Sequence, residues 1–390
     1  AGVTISSPNA ASTDISFPTA GTYMVELTAS NSGSQVRTFQ KNIQVTACQL
    51  LDCRKNQQKW IFGWGYSGVD FSSGSPATYI PPTNLLNDGN QESYYVETDP
   101  QTGNVLFYTN GSYVYDGSFN KINTTSFHPL ASLGGTYNSS AQIIIIPFPG
   151  HDKQFLMFIP NRGWDQPPLV SVANNYPAHM IILIDASGPA ITAVPFSCST
   201  AVVSPGITFN YNLYAYSEQI TAVPHANGRD YWILFPCLST SGNLYMASFL
   251  LHPGGLVQKS VALVKNNTFI ANIGYGLSAN PQHNRIALKY QNNAFQIQLA
   301  TMPFDHATGI FGTAINYNLA SENIGYPGGL IFYDETHVYM SKTINFPSLG
   351  LMDVDLLTGT VSNFASTRDY SWLAYGPDGQ IYVLEKFSLQ

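Results

Sequence analysis

Charge is scarce in this sequence. Of its 390 residues only 10% are Asp, Glu, Lys or Arg, against about 25% in an ordinary soluble domain. The net charge of −7 comes from 23 acidic and 16 basic residues, and no basic run occurs. Nucleic acids and anionic membrane surfaces are therefore excluded as expected partners. Long apolar runs are missing as well. Ile143–Ile146 and Met180–Ile184 are the longest, whereas a bilayer span needs about 20 residues. No convincing 3.6-residue apolar period appears, which argues against long helices. No initiator Met or signal peptide opens the chain, so a processed form or fragment is expected.

Cysteine is sparse but even in number. Cys48 and Cys53 bracket a short loop, leaving Cys198 and Cys237 for each other. Four cysteines permit three pairings, and the expectation is Cys48–Cys53 with Cys198–Cys237, as in an exported protein. The rival is a metal site, but no CxxC or neighbouring His supports it. Nucleophilic catalysis lacks its signal too, because no G-x-S-x-G elbow occurs. Neither a metal nor another cofactor is expected.

What is abundant is punctuation. The chain has 32 Gly, 24 Pro and 13% aromatics, the make-up of many short strands and turns. Six times a turn of Asp, Asn, Pro, Gly or His precedes an apolar strand. Those strands open near Val105, Phe155, Tyr231, Ile286, Val338 and Ile381, 43 to 76 residues apart. Such periods predict a six- or seven-bladed β-propeller over 59–390, one sheet per repeat. A second signal, Asp-x-x-Thr-Gly at Asp305–Gly309 and Asp355–Gly359, predicts outer hairpin turns. Lys59–Gly65 precedes the first repeat, and the expectation is that this strand returns to complete the last blade, around Tyr370–Lys386. The longest interval holds two inserts, about 160–178 and 199–218.

Before the repeat, 1–47 alternates like strands and 48–58 reads as a linker. The run from Phe17 to Val45, with Phe17, Gly21, Tyr23, Val25, Leu27 and Asn31, resembles the second half of a PKD domain. That resemblance implies part of an immunoglobulin-like β-sandwich, whose missing front half would leave an apolar face exposed. The following segment, through Trp60, Phe62, Gly63, Gly68, Asp70 and Phe71, then Gly103–Gly111 and His225–Leu234, resembles the propeller modules joined to PKD domains in surface proteins of gliding, type IX-secreting bacteria (Bacteroidota). The resemblance implies a noncatalytic protein at the cell surface, outside the cell. It would serve adhesion or build an appendage, binding glycan, protein or copies of itself.

Candidate sites follow from the inserts. Trp164, Tyr176, Tyr211, Tyr214 and Tyr216 lie beside Asn174 and other amides, and flat rings with amides suit a glycan. The competing reading makes the tyrosines strand residues packed on a blade. Recurrent His151, His225, His283 and His337 suggest either turn hydrogen bonds or a ring of metal-binding imidazoles. Asp152, Asp165, Asp230 and Asp334 fall in predicted loops. Asp353 and Asp355 share a strand face, as a calcium site or a solvated outer strand. The alternatives to adhesion are a polysaccharide-acting propeller hydrolase or lyase, and a phage or filament component.

Overall fold

The computed structural model describes residues 4–5, 15–16, 21–30, 36–45, 59–62, 67–73, 76–79, 95–99, 102–111, 113–123, 143–160, 179–196, 213–214, 219–239, 242–266, 276–291, 297–319, 327–342, 349–366, 370–376 and 379–385. Every named element among them is a β-strand. Two compact units result, Ala1–Asp52 and Cys53–Gln390, divided inside the predicted linker.

In the first unit β1 (Thr4–Ile5) pairs with β2 (Ile15–Ser16), and β3 (Gly21–Ser30) forms a hairpin with β4 (Val36–Val45). The period of two places Tyr23, Val25 and Leu27 on one face, across from Ile43, Lys41 and Phe39. Tyr23 and Val25 are half-buried, whereas Leu27 and Phe39 are 62% and 59% exposed. The described residues here form two two-stranded sheets.

The second unit is a succession of antiparallel sheets, each in chain order. The first holds β5 (Lys59–Phe62), β6 (Ser67–Asp70) and β7 (Ala77–Tyr79). The second holds β8 (Tyr95–Thr98), β9 (Val105–Thr109) and β10 (Val114–Asp116). The third runs β11 (Ile144–Pro147), β12 (Gln154–Pro160), β13 (His179–Asp185) and β14 (Thr192–Pro195). In the fourth, β15 (Leu213–Tyr214) and β16 (Thr221–Pro224) both pair with β17 (Tyr231–Ser239), followed by β18 (Leu244–His252) and β19 (Gly255–Lys265). The fifth runs β20 (Leu277–Ala279), β21 (Arg285–Gln291) and β22 (Ile297–Asp305), with β23 (Ile310–Phe311) and β24 (Ile315–Asn318) both on β22. The sixth is β25 (Pro327–Phe332), β26 (His337–Lys342), β27 (Leu349–Asp355) and β28 (Val361–Ser366), and β29 (Tyr370–Tyr375) with β30 (Ile381–Glu385) closes the series. This is an all-β propeller: six blades of three to five described strands, and the two-stranded β29–β30.

The predicted repeat is the strand that follows the first along each sheet after β5–β7. Val105, Tyr231 and Ile381 open β9, β17 and β30, while Phe155, Ile286 and Val338 stand one residue inside β12, β21 and β26. These strands are apolar on both faces because each blade is covered on two sides. Ile286, Leu288 and Tyr290 pack against Trp232 and Leu234 of the preceding blade, and Ala287 turns to Leu330 and Val338 of the next. The Asp-x-x-Thr-Gly signal also holds. Asp305 and Asp355 accept the N–H two residues on, at 2.9 and 2.8 Å. Gly309 and Gly359 end those turns at φ of 77° and 72°, which a side chain would strain.

At this end of the blades the turns staple neighbours together. Trp232 Nε1 donates to the His306 carbonyl at 2.7 Å, His151 Nε2 lies 3.3 Å from the Pro253 carbonyl, and Tyr317 donates to the Leu356 carbonyl at 2.8 Å. His225 Nδ1 accepts from Asn227 N at 2.9 Å. The recurrent histidines here are turn and seam residues.

The expected closure is corrected in its form. Trp60–Phe62 pairs with β6 and not with β30, because Gly68 lets the Trp60 backbone approach closely across the hairpin. The β5–β7 sheet is instead wedged between two others. Ile61 packs with Val96, Tyr108 and Tyr115, while Trp60 and Phe71 meet the Tyr382 ring edge-on at 5.4 and 5.2 Å. Aromatic pairs add about 0.5–1.5 kcal/mol each beyond burial. Tyr382→Ala should therefore cost about 2 kcal/mol and speed proteolysis at β29–β30, checked by urea titration and limited digestion. An unchanged midpoint would rule out this ring cluster as the closure.

Candidate functional site

Among the described residues most blade surfaces are covered by the next blade, but one face of β26–β28 is left largely open. β26 alternates so that Val338 and Met340 enter the core, which turns His337 and Tyr339 the other way. Their cross-strand partners are Asp355 and Asp353. Phe364, diagonal to them on β28, is 50% exposed, and Tyr333 in the preceding turn is 47% exposed. The sheet that follows, β29–β30, has only two described strands and covers the inner part alone. Tyr375 on β29 donates to the Phe332 carbonyl, fixing that sheet to the turn.

Tyr333 and Tyr339 stack at 4.9 Å with rings 7° from parallel, and Phe364 meets Tyr339 edge-on at 6.1 Å. Beside this platform are three carboxyls and one imidazole. Asp334 accepts from Thr336 N at 2.7 Å and His337 N at 2.8 Å, and its oxygens lie 3.1 Å from His337 Nδ1. Burial pushes Asp334 up, but these donors outweigh it and hold the carboxyl below its usual range. The same contact raises His337, with Asp353 and Asp355 adding to the effect. Asp355 is lowered by Thr358 Oγ1 and then by the Leu357 amide. Asp353 goes the other way. Burial raises it, the Asp334 and Asp355 charges raise it further, and only His337 opposes them. Its Oδ1 is buried without a hydrogen-bond partner. Burial first and Asp353 second push the Tyr339 phenol up as well.

Two carboxyls on one strand face are thus driven apart in acidity, with a flat aromatic surface alongside. Such a pair can divide acid and base roles. Asp355 also confirms the turn reading given to it from sequence. Among the described residues no group of three His, Cys, Asp or Glu side chains is arranged to hold a metal.

Trp164, Asn174, Tyr176, Tyr211 and Tyr216 lie outside the described residues, and Tyr214 is on β15 opposite Leu238. The first insert joins Pro160 to His179, which face each other across β12 and β13, and the second leaves β14 at the same end. The described flanks of both therefore lie at the end of the blades opposite the Asp334 and Asp355 turns. Asp230, another sequence candidate, is buried and held by Arg229 and Asn227, a turn lock. The Cys198–Cys237 bridge is corrected: Cys237 is a free thiol buried on β17, and burial pushes it up to about 12. Cys48, Cys53 and Cys198 lie outside the described residues.

No family model and no curated protein matches the chain. Similar solved structures exist. A periplasmic gluconolactonase of Pseudomonas aeruginosa is 15% identical, over 82% of this chain and 79% of that one, with a TM-score of 0.44. A puromycin-hydrolyzing peptidase of Mycobacterium tuberculosis is 12% identical at a TM-score of 0.40, over 75% of this chain and 41% of its own. A β-1,3-galactosidase is 9% identical at 0.38, over 60% of this chain and 83% of that one. The expectation of a noncatalytic adhesion protein, not an enzyme, is corrected to this extent: these neighbours are named as hydrolytic enzymes, not as adhesins. At such identities the likeness concerns fold, and the chemistry of this chain rests on its own residues.

Proposed function

We propose that the propeller is a hydrolase of glycosidic bonds, working on polysaccharide at the open face of β26–β28. One observation carries the reading: Asp353 and Asp355 share that face, are pushed in opposite directions in acidity, and adjoin the Tyr333–Tyr339 stack. Asp353, held protonated to higher pH, is the general acid that protonates the leaving oxygen. Asp355, kept ionised by Thr358 and Leu357, is the base that takes a proton from water. Positions two apart on a strand have Cα atoms about 6.5–7 Å apart and project from the same face, so the two carboxyls stand side by side, and an inverting hydrolysis needs a water between its acid and its base. The tyrosine pair offers a sugar ring a flat apolar surface. A polysaccharide substrate and an extracellular setting, both expected from sequence, belong to this proposal. So does the assignment of the β3–β4 hairpin to half of an immunoglobulin-like sandwich.

Asp353→Asn keeps the shape of the side chain and removes the acid. Reducing-end release from a panel of neutral and acidic polysaccharides should fall roughly a hundredfold, with the thermal midpoint held. Full activity in this variant, or no release from any polymer by the unaltered chain, would overturn the assignment. The acidic limb of the pH profile should belong to Asp355 and the alkaline limb to Asp353, so Asp353→Glu should move the alkaline limb alone.

A further inference from the structure

Far from that face, the seam between the second and third sheets contains an acid the proposed chemistry does not use. Glu97, on β8, is 2% exposed. Its neighbour Val96 packs with Ile61 and Tyr108 toward the first sheet, so alternation turns Tyr95 and Glu97 toward the third. There Tyr95 lies against a cluster that includes Phe107, Ile145, Phe155 and Met157. Among the described residues the Tyr95 hydroxyl has two acceptors within reach. Glu97 Oε2 is at 3.0 Å, within the same strand, and the Ile145 carbonyl is at 3.4 Å, across the seam on β11. A phenol has one proton to donate, so the two bonds compete. A neutral Glu97 leaves the proton free for Ile145, whereas a carboxylate claims it.

We infer that Tyr95 and Glu97 form a proton-operated clasp across this seam, closed on Ile145 when Glu97 is neutral and released when it ionises. The surroundings favour the closed form. The cluster members from β9, β10, β11, β12 and β13 are Phe107, Val114, Ile143, Ile145, Phe155, Met157, Ile159, Ile182 and Ile184, without a charge among them. Lys153, in the turn before β12, lies 4.0 Å from Asp99 beyond the end of β8. Lys121 and Asp116 border a groove of 670 Å³ at the outer end of the same seam, with Val105, Ile122, Pro189 and Ile191. Burial pushes the Glu97 carboxyl up to about 8, with the Tyr95 bond opposing it. Release therefore falls in the mildly alkaline range.

Hydrogen exchange of the whole chain, read by mass spectrometry at pH 6.5 and 9.5 and corrected for intrinsic rates, tests the clasp. Protection of β8 and β11 should fall roughly tenfold per pH unit as the pH rises to about 8 and level off above it, while β18 and β19 hold theirs. Glu97→Gln, permanently neutral, should keep full protection at both values. Tyr95→Phe, which retains the acid but has no bridge to give up, should be less protected at pH 6.5 already. Flat protection in the unaltered chain, or an equal loss in Glu97→Gln, would overturn the inference.

Discussion

Trp232→Ala is expected to lower the stability of the propeller by about 4–6 kcal/mol, enough to leave many chains unfolded. The indole is 1% exposed and sits where two blades meet. Phe304 of the next blade meets it edge-on at 6.1 Å, and the His225 ring tilts over it at 5.3 Å. Gly309 gives it room, because a Cβ there would lie 2.3 Å from the ring. Removing such a side chain costs about 3–5 kcal/mol through lost burial and the cavity left behind. The His306 carbonyl also loses its 2.7 Å donor, worth about 1 kcal/mol more. Trp232→Phe separates the two contributions by keeping part of the ring without the N–H, and should cost roughly half as much. Gly309→Ala should be nearly as damaging as Trp232→Ala, since it fills the space from the other side and strains a φ of 77°. Guanidinium titrations of the three variants decide the matter. Losses under 1 kcal/mol for all three would mean that the seam relaxes around Trp232.

The same seam shows why the fold was readable and the site was less so. A blade covered on both sides must be apolar on both faces of its second strand, and YWILF or FLMFI announces that without alignment. Turn residues carry their mechanism locally, so Asp305 to Gly309 and Asp355 to Gly359 could be placed from five letters. Closure was legible as to which elements meet, Trp60 with Tyr382, but not as to pairing. Strand exchange is decided by backbone approach at Gly68 rather than by apolar character. Asp353 and Asp355 were recognisable as one face of a strand, but only the fold reveals what that face adjoins. Tyr333 reaches Tyr339 across a turn and a strand, and Phe364 comes from another hairpin. The aromatic inserts were conspicuous because their rings cluster in sequence, and of those rings only Tyr214 falls among the described residues. Cys237 misled for a similar reason. An even count invites pairing, but a thiol pointing into a blade serves as a small apolar group.

Lys289→Met is expected to stabilise the chain at neutral pH, on the order of 3–5 kcal/mol, and to erase part of its pH dependence. Lys289 is 1% exposed on β21, facing the sixth sheet. Its stem fills the space before β20, where a Cβ on Gly276 would meet Lys289 Cβ at 2.7 Å and Cε at 3.1 Å. Burial pulls the amine from 10.5 down to about 7. A folded-state value below the unfolded one means the unfolded chain binds the extra proton between those limits. Stability from this group is therefore complete above pH 10.5 and is lost as the pH falls to about 7, at about 1.4 kcal/mol per unit. Glu97 has the opposite slope, raised from 4.5 to about 8, with its stability complete below 4.5 and lost as the pH climbs to about 8. The two windows overlap only between 7 and 8, and the buried Cys237 thiol, raised from 9.0 to about 12, starts to lower stability only above about 9, so the lysine is read alone between 8 and 9. Urea midpoints of the unaltered chain should rise from pH 8 to 9, and those of Lys289→Met should stay level. Methionine matches the length of the lysine stem and needs no solvation, so the gain at pH 7 should not be offset by a cavity. A parallel rise in both proteins, or a variant less stable at every pH, would show that the ammonium is well accommodated where it lies.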